Sequence, residues 1–130
     1  MTGERAATET EIIHRFIQAY NAFDVAGMLT LLSPDVRFEN YSSDALTASA
    51  SGVDEFRQLA EQSVSMFSMR EQRIVSLRAH GGVVVVDIAY RGTFAVDLPD
   101  GPLAGTLIEL KGTSEFSFDG GLIRQIVDRS

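Results

Sequence analysis

The chain has 130 residues, of which 45% are hydrophobic and 22% charged, which is the balance of one globular domain and not of a disordered segment. Its formal net charge of −7 excludes the broad basic surface with which proteins bind nucleic-acid phosphates. Because cysteine is absent, disulfides, thiolate metal sites and a cysteine nucleophile are excluded as well. Neither a leader peptide nor a run of membrane-spanning length is recognisable, so we expect a cytoplasmic protein without a membrane partner.

Two helical patterns open the chain. Thr8 and Glu11 have the spacing of a capping box, which predicts that the first helix begins there. Apolar residues then recur at helical intervals: Ile12, Ile13, Phe16, Ile17, Tyr20 and Phe23. Asp24 is predicted to cap a short second helix, which ends in a turn at residues 33–35.

A strand, a segment of small residues and a third helix follow. Residues 36–41 alternate apolar with polar side chains, as a half-buried strand does, and residues 42–51 are read as a loop or a weak hairpin. Ser51 or Asp54 is expected to begin the third helix, which closes near Met69. Its apolar stripe consists of Phe56, Leu59, Ala60, Val64 and Phe67.

The second half of the chain is rich in β-branched residues and interrupted by glycine pairs. Strands are predicted at 72–80, 83–96, 106–118 and 122–128, with tight turns at the Gly81-Gly82 and Gly120-Gly121 pairs. Helices followed by such a meander predict an α+β fold, in which three helices cover one face of an antiparallel sheet. Residues 1–130 form one domain in this interpretation.

Several segments together resemble the nuclear-transport-factor-like superfamily, which includes ketosteroid isomerases, limonene-epoxide hydrolases, scytalone dehydratases and SnoaL-like cyclases. The similarity lies in the opening helix, the Asp24-led short helix, the Leu-Ser-Pro-Asp-Val-Arg-Phe-Glu-Asn segment at 32–40, the helix after Gly52 and the hairpin at 118–123. It implies a strongly curved sheet that wraps around the helices to form a cone with an apolar pocket, often within a dimer that pairs sheet faces. A fold alone does not select a reaction.

The catalytic positions of this superfamily are only partly matched. Where ketosteroid isomerases have a tyrosine, a carboxylate base and a protonated carboxylic acid, this chain has Phe16, Asn40 and Ser114, although Tyr20 lies one helical turn beyond Phe16. Asn40 and Asp128 match two positions of limonene-epoxide hydrolases. Phe38 replaces the tyrosine of those enzymes, and Asp87 and Ala89 lie near the positions of their arginine and second aspartate.

The resemblance and the strand alternation together select a candidate site. The candidate catalytic residues are Asp128 as general base, with Asn40 and Tyr20 to orient water or a carbonyl group. The candidate ligand-binding residues are Phe16, Phe38, Phe56, Phe67, Ser114, Phe116 and Ile126. The competing interpretations are a solvated chain end for Asp128, turn chemistry for Asn40 and core packing for Tyr20. No metal site is expected, because His14 and His80 have no partners at ligand spacing.

Two hypotheses of function remain. In the first, the protein is a cofactor-independent isomerase, hydrolase, dehydratase or cyclase that acts on a small hydrophobic molecule. In the second, the same fold is a non-catalytic ligand-binding or dimeric interaction module. A homodimer through the sheet faces is expected in either case, because the outward valines of the strand at 83–90 need cover.

Overall fold

The structure is a computed structural model that describes residues 2–130, with side chains described from Glu9 onward. Three helices and six strands occupy this described part of the chain. The helices are α1 (Thr2–Asn21), α2 (Val25–Leu29) and α3 (Val53–Met66). The strands are β1 (Leu32–Ser42), β2 (Ala45–Ser51), β3 (Phe67–His80), β4 (Val83–Phe94), β5 (Leu107–Asp119) and β6 (Leu122–Arg129). The predicted α+β class is confirmed.

All six strands belong to one sheet in the order β2-β1-β6-β5-β4-β3. Every pair of neighbours is antiparallel, as predicted, except β1 and β6, which run parallel. Parallel neighbours need a long crossover connection, and the rest of the domain between β1 and β6 provides it. The last strand of the chain thereby lies beside the first.

The first strand is longer than its alternation predicted, and the turn expected at residues 33–35 is wrong. Leu32 pairs with Ile123 and Arg37 with Gln125, with an irregularity between them. Ser33 hydrogen-bonds the Asp35 carboxylate inside this irregular stretch. The proline at position 34 has no N–H to donate to a neighbouring strand, which agrees with irregular pairing rather than with a turn.

The small-residue segment after β1 forms a hairpin, the second of its two predicted forms. Ser43 and Asp44 have φ angles of 50° and 65°, and they join β1 to the antiparallel strand β2. The glycine pair at 81–82 has φ angles of 59° and 81°, which only glycine adopts at little cost. This is the left-handed geometry of two-residue hairpin turns, as predicted.

The helix bounds differ from those predicted in three places. The first helix begins at Thr2, well before the predicted capping box, and the side chain of Thr8 lies outside the described residues. Phe23 lies beyond the end of α1 with a φ of 59°, so it is not part of the helical stripe. The third helix begins after Gly52 and ends at Met66, which makes Phe67 the first residue of β3. Asp24 caps α2 as predicted, since its carboxylate accepts from the Gly27 N–H at 2.9 Å.

The core lies between the helices and the concave face of the sheet. Alternate residues of β4, including Val84, Val86 and Ile88, are buried in the same core cluster as the apolar face of α1. The largest fully buried side chains are Phe116, Ile13, Ile123, Ile126, Val36 and Val86. No helix in the described part of the chain has the length and apolar character that crossing a bilayer requires.

Candidate functional site

A row of residues crosses the concave face of the sheet where the apolar core ends. Asn40 on β1 is the register partner of Asp128 on β6, and Asp128 is the partner of Ser114 on β5. The row beneath it is apolar, with Phe38, Ile126 and Phe116 in the same three strands. Because side chains alternate between the faces of a strand, both rows point to the helices. The sheet therefore carries its polar row directly above its core.

Asp128 is the acidic member of this row. Ser114, which is 6% exposed, donates a hydrogen bond from its hydroxyl to Asp128 Oδ1 at 2.6 Å. Burial raises the pKa of Asp128 to about 6, and the hydrogen bond from Ser114 opposes part of this rise. No described side chain hydrogen-bonds the other carboxylate oxygen. Asp128 is therefore a carboxylate that changes charge near neutral pH and keeps one oxygen available.

Two cavities of about 330 Å³ each meet at this row. The helix-side cavity is lined mainly by apolar residues of the helices and of β1 and β6: Phe16, Met28, Phe38, Phe56, Leu59 and Ile126. The strand-side cavity lies mainly along β4 and β5, with Phe67, Ile88, Tyr90, Ile108, Leu110 and Ser114 in its wall. Four residues line both cavities: Tyr20, Asn40, Gln72 and Asp128. The carboxylate thus stands at the junction of an apolar and a more polar space.

The three predicted catalytic residues are brought together at this junction. The Asn40 amide nitrogen donates to Thr47 Oγ1 on β2 at 2.7 Å, which fixes its orientation. Tyr20, near the end of α1, donates from its hydroxyl to the hydroxyl of Tyr90 at 3.1 Å.

The predicted ligand-binding residues divide between the two cavities. Phe16, Phe38, Phe56 and Ile126 line the helix-side cavity, where Phe56 packs against Phe38 at a centroid distance of 5.6 Å and against Phe16 at 6.2 Å. Phe67 and Ser114 line the strand-side cavity. Phe116 is 2% exposed and lies in the core instead, with its ring packed edge-on against Phe16 at 6.0 Å.

Tyr90 is a site residue that the sequence interpretation did not select. Burial is the main cause that raises the pKa of Tyr90 above the ordinary phenol range, and the neighbouring Tyr20 adds to it, so this hydroxyl stays protonated. The signal for it was present, because Tyr90 continues the inward alternation of Val84, Val86 and Ile88. Nothing local linked it to Tyr20, which lies 70 residues earlier.

Arg70 is a second residue that sequence reasoning missed. It lies in β3, is 3% exposed, and places its guanidinium carbon 3.7 Å from the centroid of the Tyr20 ring. Its Nε donates to the Tyr20 carbonyl oxygen at 2.9 Å, and its Nη1 donates to Ser63 Oγ at 2.8 Å. Arg70 alternates along β3 with Gln72 and Ile74, and this alternation is the signal that could have predicted an inward-facing side chain.

Asp87 and Arg91 lie outside the site. Asp87 is hydrogen-bonded to Ser76 and forms an ion pair with Arg78 at 2.8 Å, and Arg91 is exposed. The hydrogen bonds from Ser76 and Arg78 hold the pKa of Asp87 below its usual value, so it is charged at neutral pH. Among the described residues, no cluster of three potential metal ligands occurs.

The curved sheet around three helices, with a cavity at its concave face, defines a fold of the nuclear-transport-factor type. The sequence model of the SnoaL-like domain matches residues 13–126, and the chain therefore belongs to the SnoaL-like domain family. The resemblance inferred from the sequence is confirmed at this level. No curated protein sequence is significantly similar to the chain.

Solved structures share the fold at low sequence identity. A candidate polyketide cyclase from Xanthomonas campestris pv. campestris is 20% identical with a TM-score of 0.81, over 95% of this chain and 90% of that chain. A nuclear-transport-factor-like protein of unknown function from Burkholderia pseudomallei is 21% identical with a TM-score of 0.76, over 93% and 88%. TerC, co-crystallised with polyporic acid, is 17% identical with a TM-score of 0.75, over 93% and 89%. At these identities the similarity establishes the fold.

Proposed function

We propose that the protein is a cofactor-independent enzyme that binds a small, largely apolar molecule and removes a proton from it with Asp128. The observation that carries this proposal is the placement of Asp128 at the junction of the two cavities, with a pKa of about 6 and one oxygen that no described residue hydrogen-bonds. A base whose pKa lies near the working pH combines a large ionised fraction with a strong affinity for the proton. The chain therefore contains a carboxylate suited to proton transfer.

The cavities support an organic ligand of modest size. Together they offer phenyl rings on the helix side and hydroxyl groups on the strand side, so a molecule with an apolar body and a polar end fits both. The candidate cyclase and the complex of TerC with polyporic acid support the same class of ligand by analogy. Isomerisation, dehydration and cyclisation begin with such a proton transfer in this proposal, and in hydrolysis Asp128 takes the proton from the attacking water instead.

Asn40 and Tyr20 are assigned supporting roles. Asn40 is the cross-strand neighbour of Asp128, and its amide orients water or a carbonyl group beside the carboxylate. Tyr20 belongs to a pair of phenols in the wall of the same strand-side cavity. A non-catalytic ligand-binding module is the alternative, and the test below separates it from an enzyme.

The test uses a chromogenic probe for a carboxylate base in an apolar cavity, the Kemp elimination of nitrobenzisoxazole. Asp128 would take the ring C–H proton, the C–H electron pair would form the nitrile, and the N–O bond would break to release a coloured cyanonitrophenolate. We expect Asp128→Asn to lower kcat/KM at least about 100-fold, because an amide cannot accept the proton. The wild-type rate should rise with pH to a plateau above a midpoint near 6, since the ionised form is the active one.

Two further variants make this result specific. Asp87→Asn removes a carboxylate on the outer face and should leave the rate unchanged. Ser114→Ala should move the midpoint of the pH profile upward, because the hydrogen bond from Ser114 lowers the pKa of Asp128. Equal rates for wild type and Asp128→Asn, with probe binding retained, would instead favour the non-catalytic module.

A further inference from the structure

Arg70 is a buried cation with no acidic partner among the described residues. It is 3% exposed, and neither the four ion pairs of the described chain nor its two hydrogen bonds bring a carboxylate to it. Its Nη2 is buried and has no hydrogen-bond partner among the side chains and backbone that the structure describes. A buried charge is normally paired, because desolvation is costly and a partner offsets that cost. A guanidinium without a carboxylate partner among the described residues, close to a ligand cavity, can therefore offset a negative charge on a bound molecule.

The surroundings of Arg70 connect it to both cavities. The guanidinium stacks on the face of Tyr20, a residue that lines both cavities, and hydrogen-bonds Ser63, which lines the helix-side one. The aromatic ring of Phe23 covers it on another side, at 4.7 Å from the centroid. Arg70 thus lies directly behind the cavity wall, where the low local polarity leaves its field weakly screened.

The phenol pair extends this arrangement to the ligand. Tyr20 donates its proton to the Tyr90 oxygen, which leaves the Tyr90 proton available to an acceptor in the strand-side cavity. Hydrogen bonds in a chain polarise one another in the same direction, so a cation behind the first phenol strengthens the donor at the second. The base Asp128 lines the same cavity.

We propose that Arg70 is a positioning residue that makes the Tyr20–Tyr90 hydroxyl pair an oxyanion-binding side of the cavity, so that the site takes a ligand with an acidic enol or phenol oxygen. This inference rests on the proposed function, in which Asp128 removes a proton. When that proton comes from a carbon next to a carbonyl group, the C–H electron pair forms the enolate and the charge moves to oxygen. Asp128 becomes neutral as the enolate becomes negative, and Arg70 balances the new charge through the phenols.

The experiment measures the charge preference of the cavity without requiring a substrate. In the Asp128→Asn protein, para-nitrophenol is titrated across its own ionisation, and absorbance reports whether the bound molecule is the phenol or the phenolate. We expect the phenolate to bind about tenfold more tightly than the phenol, equal to a fall of about one unit in the pKa of the bound probe. Adding Arg70→Gln to this protein should abolish the preference, although glutamine can still hydrogen-bond its neighbours.

Two matched variants separate the charge of Arg70 from its packing. Arg73→Gln removes a cation from an exposed position of the same strand and should keep the tenfold preference. Arg70→Lys keeps the positive charge but not the planar guanidinium group, and it should retain most of the phenolate preference that Arg70→Gln loses. A merely structural role would make lysine and glutamine equally harmful, and that result would overturn the proposal.

Whether the Asp128→Asn protein prefers the phenolate or the phenol is a second test, and it does not require the Arg70 variants to fold. If the Asp128→Asn protein binds the neutral phenol more tightly than the phenolate, the inference about Arg70 is wrong. If Asp128→Asn loses Kemp activity but shows no phenolate preference, Asp128 is supported as the base and the proposed role of Arg70 is wrong. If Asp128→Asn keeps its Kemp activity and clearly prefers the phenolate, Asp128 is not the base, but the oxyanion-binding side of the cavity is supported.

Discussion

Asp128 shows how a single residue balances burial against hydrogen bonding. In the unfolded chain its carboxylate would titrate near 3.8, and in the folded protein burial moves the pKa to about 6. Ser114 alone among the described side chains offsets this shift with a hydrogen bond. The folded protein therefore favours the protonated form of this residue, which has a consequence for stability.

Asp128→Asn should stabilise the protein at pH 8 and have little effect at pH 4. Well below pH 3.8 the aspartate is protonated in both states, but as pH rises from 3.8 to about 6 the unfolded chain ionises first and stability falls. A difference of about two pKa units corresponds to about 3 kcal/mol, and water in the cavity reduces this, so we expect a gain of about 1–3 kcal/mol. Urea unfolding at the two pH values measures it.

The outer carboxylate Asp87 provides a control of opposite sign. Its pKa is held below the usual value by Ser76 and Arg78, so ionisation favours the folded state. Asp87→Asn should therefore not stabilise the protein at pH 8. An equal effect of Asp128→Asn at pH 4 and pH 8 would contradict the assignment of a raised pKa to Asp128.

At the scale of elements, two side chains attach the end of α1 to the edge strand β3: Arg70, through the Tyr20 carbonyl oxygen, and Asn21. Asn21 donates from its amide nitrogen to the Gln72 carbonyl oxygen at 3.0 Å, and its Oδ1 accepts from the Gln72 N–H at 2.7 Å. The amide thus makes the pair of hydrogen bonds that a further strand would make. Because Tyr20 precedes Asn21 and Gln72 lines both cavities, this contact holds one wall of the site.

Asn21→Ala should destabilise the protein by about 1–3 kcal/mol, since two backbone groups of β3 lose their partner. It should also weaken binding of para-nitrophenol, because Tyr20 and Gln72 lose their common anchor. Chemical denaturation and the absorbance titration measure the two effects. Gln18→Ala, at an exposed position of the same helix, serves as the control and should change neither. A variant with normal stability would show that the contact is dispensable.

At the scale of the molecule, the outer face of the sheet carries partly exposed apolar side chains. Val83 and Val85 of β4 are half-buried there, Leu107 of β5 is 45% exposed, and Val75 at a bulge of β3 is 62% exposed. Apolar surface of this kind is commonly covered by association. We propose that two copies of the chain pair through this face, which leaves both concave cavities open.

Sedimentation velocity should therefore detect a dimer at micromolar concentration. Val85→Lys should shift the protein to a monomer, because it places a charge in the middle of the face that would be buried. Leu103→Lys replaces an exposed apolar residue of the loop between β4 and β5 and should remain dimeric. A monomeric wild-type protein would remove the reason for this interface.

Much of the fold could be predicted from local patterns. Alternation placed Asn40 on the strand face of Phe38 and Asp128 on that of Ile126, and the glycine pairs marked two hairpins correctly. Parity depends on neighbouring residues alone, so it can be predicted without knowledge of the rest of the chain. The strand faces of Asn40 and Asp128 could be predicted for this reason, whereas the resemblance to the superfamily selected them as site residues.

What the sequence by itself determined is therefore the class of the fold, its family and the choice of Asp128 and Asn40 as candidate site residues. The tertiary structure decided that β1 and β6 run parallel, that residues 33–35 belong to a strand, and that Arg70, Tyr20 and Tyr90 meet. These features join segments far apart in the chain. Their geometry depends on how the whole sheet curves around the helices. A local pattern of side chains does not predict which distant segments will come into contact.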